Sequence, residues 1–272
     1  IDGFQLGPID SNVEPGTITA LVGNNGSGKS TLLKTIMNLV KQDHGQIKVF
    51  DTFVDGHRED WKKYIAYQPQ TVVGYDPFTG ETLKELIQYW YPNWDDNLFR
   101  QLIDEFSIPL GKRFGKLSQG AQQKLTFALT IARNTPILIL DEPTAHMDIP
   151  SKRILIDRLV EWMDQDERTI IIASHQAEDI KKLSDYLLVL HDGQMVGHFE
   201  KDALVSSYQA YWINETLPSS TIPGEVHRSG QSIISNERAL TEAFFSKHRI
   251  TCSQQSSLEL EEIIHIILAN ER

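Results

Sequence analysis

The chain has 272 residues, of which 40% are hydrophobic and 23% are charged, so it is long enough to bury a sizeable core as one domain with or without a small appendage. Its net charge is −11 and it has no extended block of lysines and arginines, which argues against nucleic acid as a partner because phosphate backbones are held mainly by clustered cations. No apolar run approaches the roughly 20 residues needed to span a bilayer, no signal peptide is visible, and the single cysteine, Cys252, excludes an intrachain disulfide.

Short apolar strands alternate with helices through the first 205 residues. In chain order we predict a strand at 17–22, a helix at 30–40, strands at 46–50 and 64–67, a helix at 118–134, a strand at 137–140, a helix at 151–164, a strand at 169–173 and two strands within 186–196. This alternation is typical of a parallel sheet covered on both faces. From about residue 71 helical segments rich in proline and aromatic residues intervene, and we interpret 71–135 as an inserted helical subdomain.

The pattern weakens after about residue 205. A strand near Tyr211, a loop at 216–230 and amphipathic helices at 238–248 and 258–269 flanking a strand near Ile250 predict a small α+β appendage. We therefore expect a main domain at 1–205 and an appendage at 206–272.

The strongest local motif is the P-loop pattern G-x-x-x-x-G-K-S at residues 23–30, between an apolar strand and the start of a helix. The backbone N–H groups of such a loop and the N-terminus of the following helix favour the binding of phosphate. The alternative is a surface glycine loop, which would not need to lie between a strand and a helix. We expect Lys29 to reach the β- and γ-phosphates of ATP and Ser30 to ligate Mg²⁺. The residues expected to bind the nucleotide here are Asn24, Asn25, Gly26, Ser27, Gly28, Lys29, Ser30 and Thr31.

Two acidic residues, Asp141 and Glu142, follow the strand at 137–140. Parallel sheets place their ligands at the carboxyl ends of their strands. We expect Asp141 to hold Mg²⁺ and Glu142 to polarise the attacking water as a general base. Acidic residues after a strand are common, and it is their combination with the P-loop that predicts an ATP-hydrolysing site.

With these motifs the sequence resembles the ABC ATPase family over residues 1 to about 205. The segment LSQGAQQ at 117–123 is similar to the family's signature, Leu-Ser-Gly-Gly-Gln, with Gln119 and Ala121 as departures. The retained Ser118 and Gly120 contact phosphate in the family, although Ser118 in isolation could be an ordinary helix cap. The resemblance implies a P-loop α/β core of ABC type with an inserted helical subdomain, in a dimer whose two signatures each complete the other subunit's site.

Three further positions agree with this resemblance. Gln70 matches the glutamine that senses Mg²⁺ and the attacking water, with Gln68 as the alternative register. Asp148 matches the acid of the family's D-loop, here 144–148, and His175 matches the switch histidine that contacts the γ-phosphate. The resemblance thus assigns catalysis to Glu142, His175 and Gln70, and metal binding to Ser30, Gln70 and Asp141.

Two questions about aromatic residues stay open in the sequence. In the family an aromatic residue stacks on adenine, and Phe4 is available here, although a core phenylalanine is an equal alternative. We hypothesise that residues 71–95 contact a permease, with core packing of the helical subdomain as the alternative. The aromatic residues concerned are Phe78, Tyr89, Trp90, Tyr91 and Trp94.

The resemblance implies a subunit that hydrolyses ATP at the cytoplasmic face of the membrane, as a homo- or heterodimer, and energises a separate transmembrane permease. The C-terminal stretch resembles the tail of bacterial exporter ATPases, so we expect export of a peptide, drug or lipid-like substrate. One alternative is a soluble ABC ATPase acting on ribosomes or DNA, which the acidic charge opposes. Another is a binding or regulatory module without catalysis, which the intact set of motif residues opposes.

Overall fold

The computed structural model describes residues 3–54, 59–165, 167–214, 217–218 and 220–270. The main part of the chain comprises β1 (Ile18–Val22), α1 (Lys29–Ile36), β2 (Lys48–Val49), β3 (Thr52–Phe53), β4 (Ile65–Gln68), α2 (Gly80–Gln88), α3 (Asp96–Glu105), α4 (Gln119–Ile131), β5 (Ile137–Asp141), α5 (Ile149–Met163), β6 (Thr169–Ala173), α6 (Ala177–Leu183), β7 (Tyr186–His191) and β8 (Gln194–Glu200). The C-terminal part comprises α7 (Lys201–Ser207), β9 (Gln209–Ile213), β10 (Glu225–Ser229), β11 (Ser232–Ser235), α8 (Arg238–His248), β12 (Cys252–Ser257) and α9 (Leu260–Asn270).

A six-stranded sheet in the order β4-β5-β6-β1-β7-β8 forms the centre of the molecule. All neighbouring strands are parallel except β8, which returns antiparallel to β7. Every residue of β1 and β6 is buried, because each face of the sheet is covered by one of two hydrophobic clusters. The predicted α/β fold with a parallel sheet is therefore confirmed, and it brings the carboxyl ends of β1, β5 and β6 to one edge.

The helical segments between β4 and β5 are bounded by side-chain caps. Thr79 Oγ1 accepts a hydrogen bond from the N–H of Thr82 at 3.2 Å, and Asp95 Oδ1 accepts from the N–H of Leu98 at 2.9 Å. These caps begin α2 and α3 by satisfying N–H groups that have no partner within the helix. The buried apolar residues of α2, α3 and α4 then join the main hydrophobic cluster.

Two predicted elements are shorter than expected. The helix predicted at 30–40 ends at Ile36, because Asn38 takes the left-handed conformation with φ of 54° and the chain turns away. The strand predicted at 46–50 is only Lys48–Val49, because Phe50 also has a positive φ of 52° and starts the turn into β3. Left-handed residues do not continue a helix or an extended strand.

The C-terminal part contains a four-stranded antiparallel sheet in the order β10-β11-β9-β12. Tyr211 of β9 packs edge-on against Phe245 of α8, with ring centroids 5.3 Å apart. The strand predicted near Ile250 begins at Cys252, and β10 and β11 were not predicted. Residues 216 and 219 of the predicted loop lie outside the described residues. The division of the chain into a main domain at 1–205 and an appendage at 206–272 stays a prediction.

The last helix, α9, packs on the main part of the molecule. Ile263, Ile266 and Ile267 belong to the same hydrophobic cluster as the central sheet.

Over the described ranges of the chain, no helix combines the length and the apolar character required to cross a bilayer.

Candidate active site

The P-loop at residues 23–30 wraps from the end of β1 into α1. Gly28 precedes α1 in the left-handed conformation, with φ of 105°, and a Cβ there would lie 2.8 Å from Leu6 Cδ1. A Cβ on Gly23 would lie 2.2 Å from the carbonyl oxygen of Leu190. Only glycine therefore allows this loop to pack between the N-terminal segment and β7.

Lys29 lies inside this loop. Its ammonium donates hydrogen bonds to the carbonyl oxygens of Gly23 at 2.7 Å and Asn24 at 3.1 Å. Burial lowers the pKa of Lys29, and the nearby charges of Glu142 and Asp141 oppose that shift. The lysine thus stays close to the acidic pair while its ammonium faces the phosphate-binding loop.

Ser30 of the P-loop and Asp141 at the end of β5, two of the residues predicted to ligate Mg²⁺, lie in direct contact. Ser30 Oγ donates to Asp141 Oδ1 at 3.0 Å, and the second carboxylate oxygen has no hydrogen-bond partner among the described residues. Burial raises the pKa of Asp141, while the bond from Ser30, the charge of Lys34 and the backbone N–H of Gln70 oppose that rise. A hydroxyl and a buried carboxylate with a free oxygen fit a hard cation such as Mg²⁺, which takes oxygen ligands.

Glu142 and His175 meet at the carboxyl ends of β5 and β6. The register places Asp141 beside Ala173, so the residues that follow each strand are neighbours. His175 Nδ1 and Glu142 Oε2 share a hydrogen bond of 2.7 Å. Glu142 is buried, whereas the His175 side chain is 56% exposed and can turn toward a ligand.

The backbone of Glu142 is held in an unusual conformation. Its φ is 51°, which is uncommon for a residue with a side chain. Its N–H donates to the carbonyl oxygen of Ala173 at 2.9 Å, and its carbonyl oxygen accepts from Gln123 Nε2 at 2.9 Å. The sequence motifs assign no role to Gln123, although a polar residue on the buried face of a helix is a signal that could have found it.

The signature segment caps α4 and contacts the D-loop of the same chain. Ser118 Oγ accepts from the N–H of Ala121 at 3.3 Å. A Cβ on Gly120 would lie 2.7 Å from the carbonyl oxygen of His146, so glycine is required for this close approach as well. Within the described part of the chain, Ser118 makes no hydrogen bond with a P-loop residue.

Asp148 begins α5 at the end of the D-loop. It accepts a hydrogen bond from the N–H of Ser151 at 2.8 Å and pairs with Lys124 Nζ at 3.0 Å. The hydrogen bonds from Ser151 and Lys124 hold the pKa of Asp148 well below its usual range. The pair with Lys124 also joins the N-terminal part of α5 to α4.

The two candidate glutamines have different surroundings. Gln70 is exposed, and its backbone N–H is directed at Asp141. Gln68 is fully buried, and its amide has no hydrogen-bond partner in the parts of the chain that are described. Gln70 is thus the one with access to the predicted metal-ligand pair, and its catalytic role stays a prediction.

Phe4 lies against the P-loop and not in the interior. It is half-buried, and its Cζ would be 3.1 Å from a Cβ on Gly28 and 3.4 Å from one on Gly193. A backbone hydrogen bond of 2.7 Å from Gly7 to Gly193 fixes this segment. The ring is therefore in contact with the protein backbone at the start of α1.

We expect GTP to compete with ATP within roughly a factor of ten. A stack on the base could contribute about 1–3 kcal/mol to discrimination, but the ring of Phe4 lies against two glycines and is not available for it. Competition binding with ATP and GTP, before and after Phe4→Ala, measures this. The ratio of the two affinities should not change with the substitution. Strong discrimination against GTP that disappears in Phe4→Ala would show that Phe4 stacks on the base.

Comparisons with known proteins agree with this arrangement. The family described as "ABC transporter" matches residues 6–145. The ABC transporter ATP-binding protein YtrB of Bacillus subtilis is 30% identical over 209 residues, which cover 76% of this chain and 71% of that protein. The ATP-dependent lipid A-core flippase of Xylella fastidiosa is 32% identical over 198 residues, which cover 67% of this chain but only 32% of the longer flippase. A solved ATP-binding subunit of an ABC transporter superimposes with a TM-score of 0.67 at 25% identity, covering 74% of this chain and 85% of that one.

Proposed function

Since the chain belongs to the ABC transporter family and is an ABC-type ATPase, we propose that it is the ATP-hydrolysing subunit of a transporter whose membrane-spanning permease is a separate chain. The observation that carries this proposal is the contact between Glu142 and His175 beside the Ser30–Asp141 pair. The match covers 71% of the length of YtrB, and that relative is named an ATP-binding protein. The name supports a permease that is a separate chain.

The phosphates of ATP are bound by the P-loop. Its backbone N–H groups and the N-terminus of α1 attract the negative oxygens, and Lys29 turns from the carbonyl oxygens of Gly23 and Asn24 to the β- and γ-phosphates. Ser30, Asp141 and Gln70 would hold Mg²⁺, which neutralises charge on the phosphates when it is bound. We propose that residues 24–31 bind the nucleotide.

Glu142 activates the water that attacks the γ-phosphate. Its buried carboxylate accepts the proton of the water, and the products are ADP and phosphate. His175 keeps this carboxylate oriented through their 2.7 Å hydrogen bond and contacts the γ-phosphate. The exposure of the His175 side chain allows it to reach both groups.

A second ATPase subunit completes each site. Ser118 and Gly120 lie at the N-terminus of α4, whose N–H groups favour an anion. Because Ser118 has no hydrogen bond to the P-loop of its own chain within the described ranges, we assign it to the γ-phosphate in the partner subunit, and we propose that Asp148, which pairs with Lys124 of α4, also faces that site. Hydrolysis then requires a homo- or heterodimer.

The permease contact is placed on the segment that follows Gln70. Its large apolar residues include a packed group and an exposed group, while Tyr91 is half-buried with Arg133 over its ring. Trp94 packs on Phe99 with ring centroids 5.4 Å apart, and Leu83 is buried, so these two belong to the core. The exposed group, which we call the docking patch, consists of Val73, Phe78, Leu86, Tyr89 and Trp90.

Exposure and position make the docking patch suitable for a cytoplasmic helix of the permease. Tyr89 is 81% exposed and Trp90 is 76% exposed, and their rings touch edge to face at 5.4 Å. Exposed neighbouring aromatic rings mark interaction sites, and buried aromatic anchors become hot spots of interfaces. Since Gln70 precedes the patch and lies beside Asp141, closure of the site on ATP would move the patch and the helix docked on it.

We expect Trp90→Ala to weaken capture of the permease by about 30-fold or more, since truncation of an interface hot spot costs about 2 kcal/mol. Pull-down with the membrane-spanning product of a neighbouring gene, ATPase activity and melting temperature are measured together. Trp94→Ala should instead lower the melting temperature through its lost contact with Phe99. Leu240→Ala is the matched control, because Leu240 is also exposed but lies on α8. Full capture by Trp90→Ala would refute the docking patch.

Export of a peptide, drug or lipid-like substrate is the direction we propose for the transporter, with this subunit at the cytoplasmic face of the membrane. The similarity to a protein named lipid A-core flippase supports a lipid-like substrate. Co-reconstitution with the permease in lipid vesicles, with the ATPase facing outward, tests the direction. ATP-dependent accumulation of substrate inside the vesicles would support export, and release from them would support import.

A further inference from the structure

The last helix of the chain forms one wall of a cavity at the ATP site. This cavity of about 280 Å³ lies between the P-loop, the loop that carries His175, and α9. Asn24 and His175 line it on the side of the site, and Ile264 and Leu268 line it on the side of α9. The C-terminal helix, which no motif predicted to be near the P-loop, therefore lines the same cavity as the P-loop and His175.

Helix α9 is fastened to α6, the helix that begins directly after the His175 loop. Ile180 and Leu183 of α6 are buried in the same hydrophobic cluster as Ile263 of α9. Lys181 of α6 forms an ion pair with Glu259, the residue that precedes α9. Because the ion pair is exposed and contributes little to stability, the apolar contact is the main attachment.

Helix α6 depends on such tertiary contacts for its position. It has seven residues and no side-chain N-cap, and an isolated helix of this length is not stable. Asp179 of α6 also accepts a hydrogen bond of 2.6 Å from Thr144 Oγ1, and Gln176 Nε2 donates to the same hydroxyl at 3.2 Å. The His175 loop is thus held between the D-loop, through Thr144, and α9.

We propose that α9 positions the His175 loop for hydrolysis, and that Ile264 is the positioning residue through which it acts. The inference rests on the proposed function, because it assigns the helix a role in that same reaction. Ile264 is half-buried and borders the cavity shared with His175. Its loss lets the loop shift and loosens the hydrogen bond of His175 to Glu142, while the P-loop contacts with the phosphates stay unchanged.

The test compares Ile264→Ala with Ile264→Val in the full-length chain. Since 1 Å of misplacement can cost about 100-fold in rate, we expect a partial shift in Ile264→Ala to lower kcat by about tenfold with the KM for ATP unchanged. Ile264→Val should restore most of kcat. His265→Ala, at the exposed neighbouring position on α9, is the matched control and should behave as wild type. If Ile264→Ala folds poorly, Ile264→Phe tests the same shift of the His175 loop, because phenylalanine fills the cavity without exposing the core.

A second measurement separates positioning from general destabilisation. In a His175→Ala background, Ile264→Ala should cause no further loss of kcat if it acts through His175, as in a double-mutant cycle. An undiminished kcat in Ile264→Ala and Ile264→Phe, a rise in kcat in either, or an additive loss of Ile264→Ala in the His175→Ala background would overturn the inference. Failure of the proposed role of His175 is distinguishable, because His175→Ala alone would then keep the wild-type kcat, whereas failure of the present inference leaves the loss in His175→Ala and removes the loss in Ile264→Ala.

Discussion

We expect Glu142→Gln to nearly abolish ATP turnover and to leave ATP binding intact. The amide keeps the size of the carboxylate and its hydrogen bond to His175, but it cannot accept a proton from water. Positioned general acid–base groups contribute about 10²–10⁴-fold to rate, so a loss of kcat in that range is expected. Phosphate release at saturating ATP measures the turnover, and equilibrium binding of labelled ATP measures the affinity. Bound ATP that is not hydrolysed should also favour the closed dimer in size-exclusion chromatography.

Glu178→Gln is the control for this substitution. Glu178 is an exposed carboxylate on α6 that pairs with Lys182 at 3.6 Å, and it is not one of the proposed catalytic groups. The same change in charge should there leave kcat close to wild type. Hydrolysis at the wild-type rate by Glu142→Gln would show that another group activates the water.

The sheet strands could be predicted where both faces of the sheet are covered. The strands predicted at 137–140 and 169–173 correspond closely to β5 and β6, because continuous apolar runs are required for burial on both sides. Strands β10 and β12 carry the sequences EVHRS and CSQQSS, and most of their residues are exposed or only half-buried. Neither follows an apolar run or a regular alternation, so β10 was not predicted, and the strand predicted near Ile250 is displaced from β12, which begins at Cys252.

Local motifs could be assigned because their chemistry is contained in a few consecutive residues. The P-loop needs its glycines at fixed spacing, and Asp141 and Glu142 follow a strand that the apolar pattern identifies. The proximity of His175 to Glu142 depends on the pairing of β5 with β6, which the apolar pattern alone did not predict. The contact of α9 with the cavity depends on tertiary packing between distant parts of the chain, and no local pattern encodes it.

Gln123 is the clearest case of a residue whose role is visible only in three dimensions. It is buried on α4, and its amide donates to the carbonyl oxygens of Glu142 at 2.9 Å and Pro143 at 3.3 Å. The positive φ of Glu142 is a conformation that costs about 1–3 kcal/mol and persists only when its surroundings hold it. The hydrogen bonds from Gln123 and to Ala173 fix the peptide groups on either side of Glu142, the proposed general base.

Gln123→Met should therefore lower kcat by about 10–100-fold, in the range that a misplacement of up to 1 Å produces, with the KM for ATP nearly unchanged. Methionine fills a similar volume but cannot donate, so the carbonyl oxygens of Glu142 and Pro143 lose a buried partner. Stability should fall by about 1–3 kcal/mol, the usual cost of leaving a buried polar group without a hydrogen bond. Urea unfolding measures the stability, and steady-state kinetics separate kcat from KM.

Thr126→Val on the same helix shows whether the loss of rate comes from the general base or from a weakened α4. Thr126 is buried, and its hydroxyl donates to the carbonyl oxygen of Gln122 at 2.8 Å, so valine removes one hydrogen bond of α4 without touching Glu142. We expect this control to lose some stability and to keep kcat within about twofold of wild type, because the base is not displaced. If both variants lost kcat in proportion to stability, Gln123 would matter only for the helix. A large fall in kcat confined to Gln123→Met is the result expected if the amide of Gln123 holds the backbone of the catalytic glutamate in place.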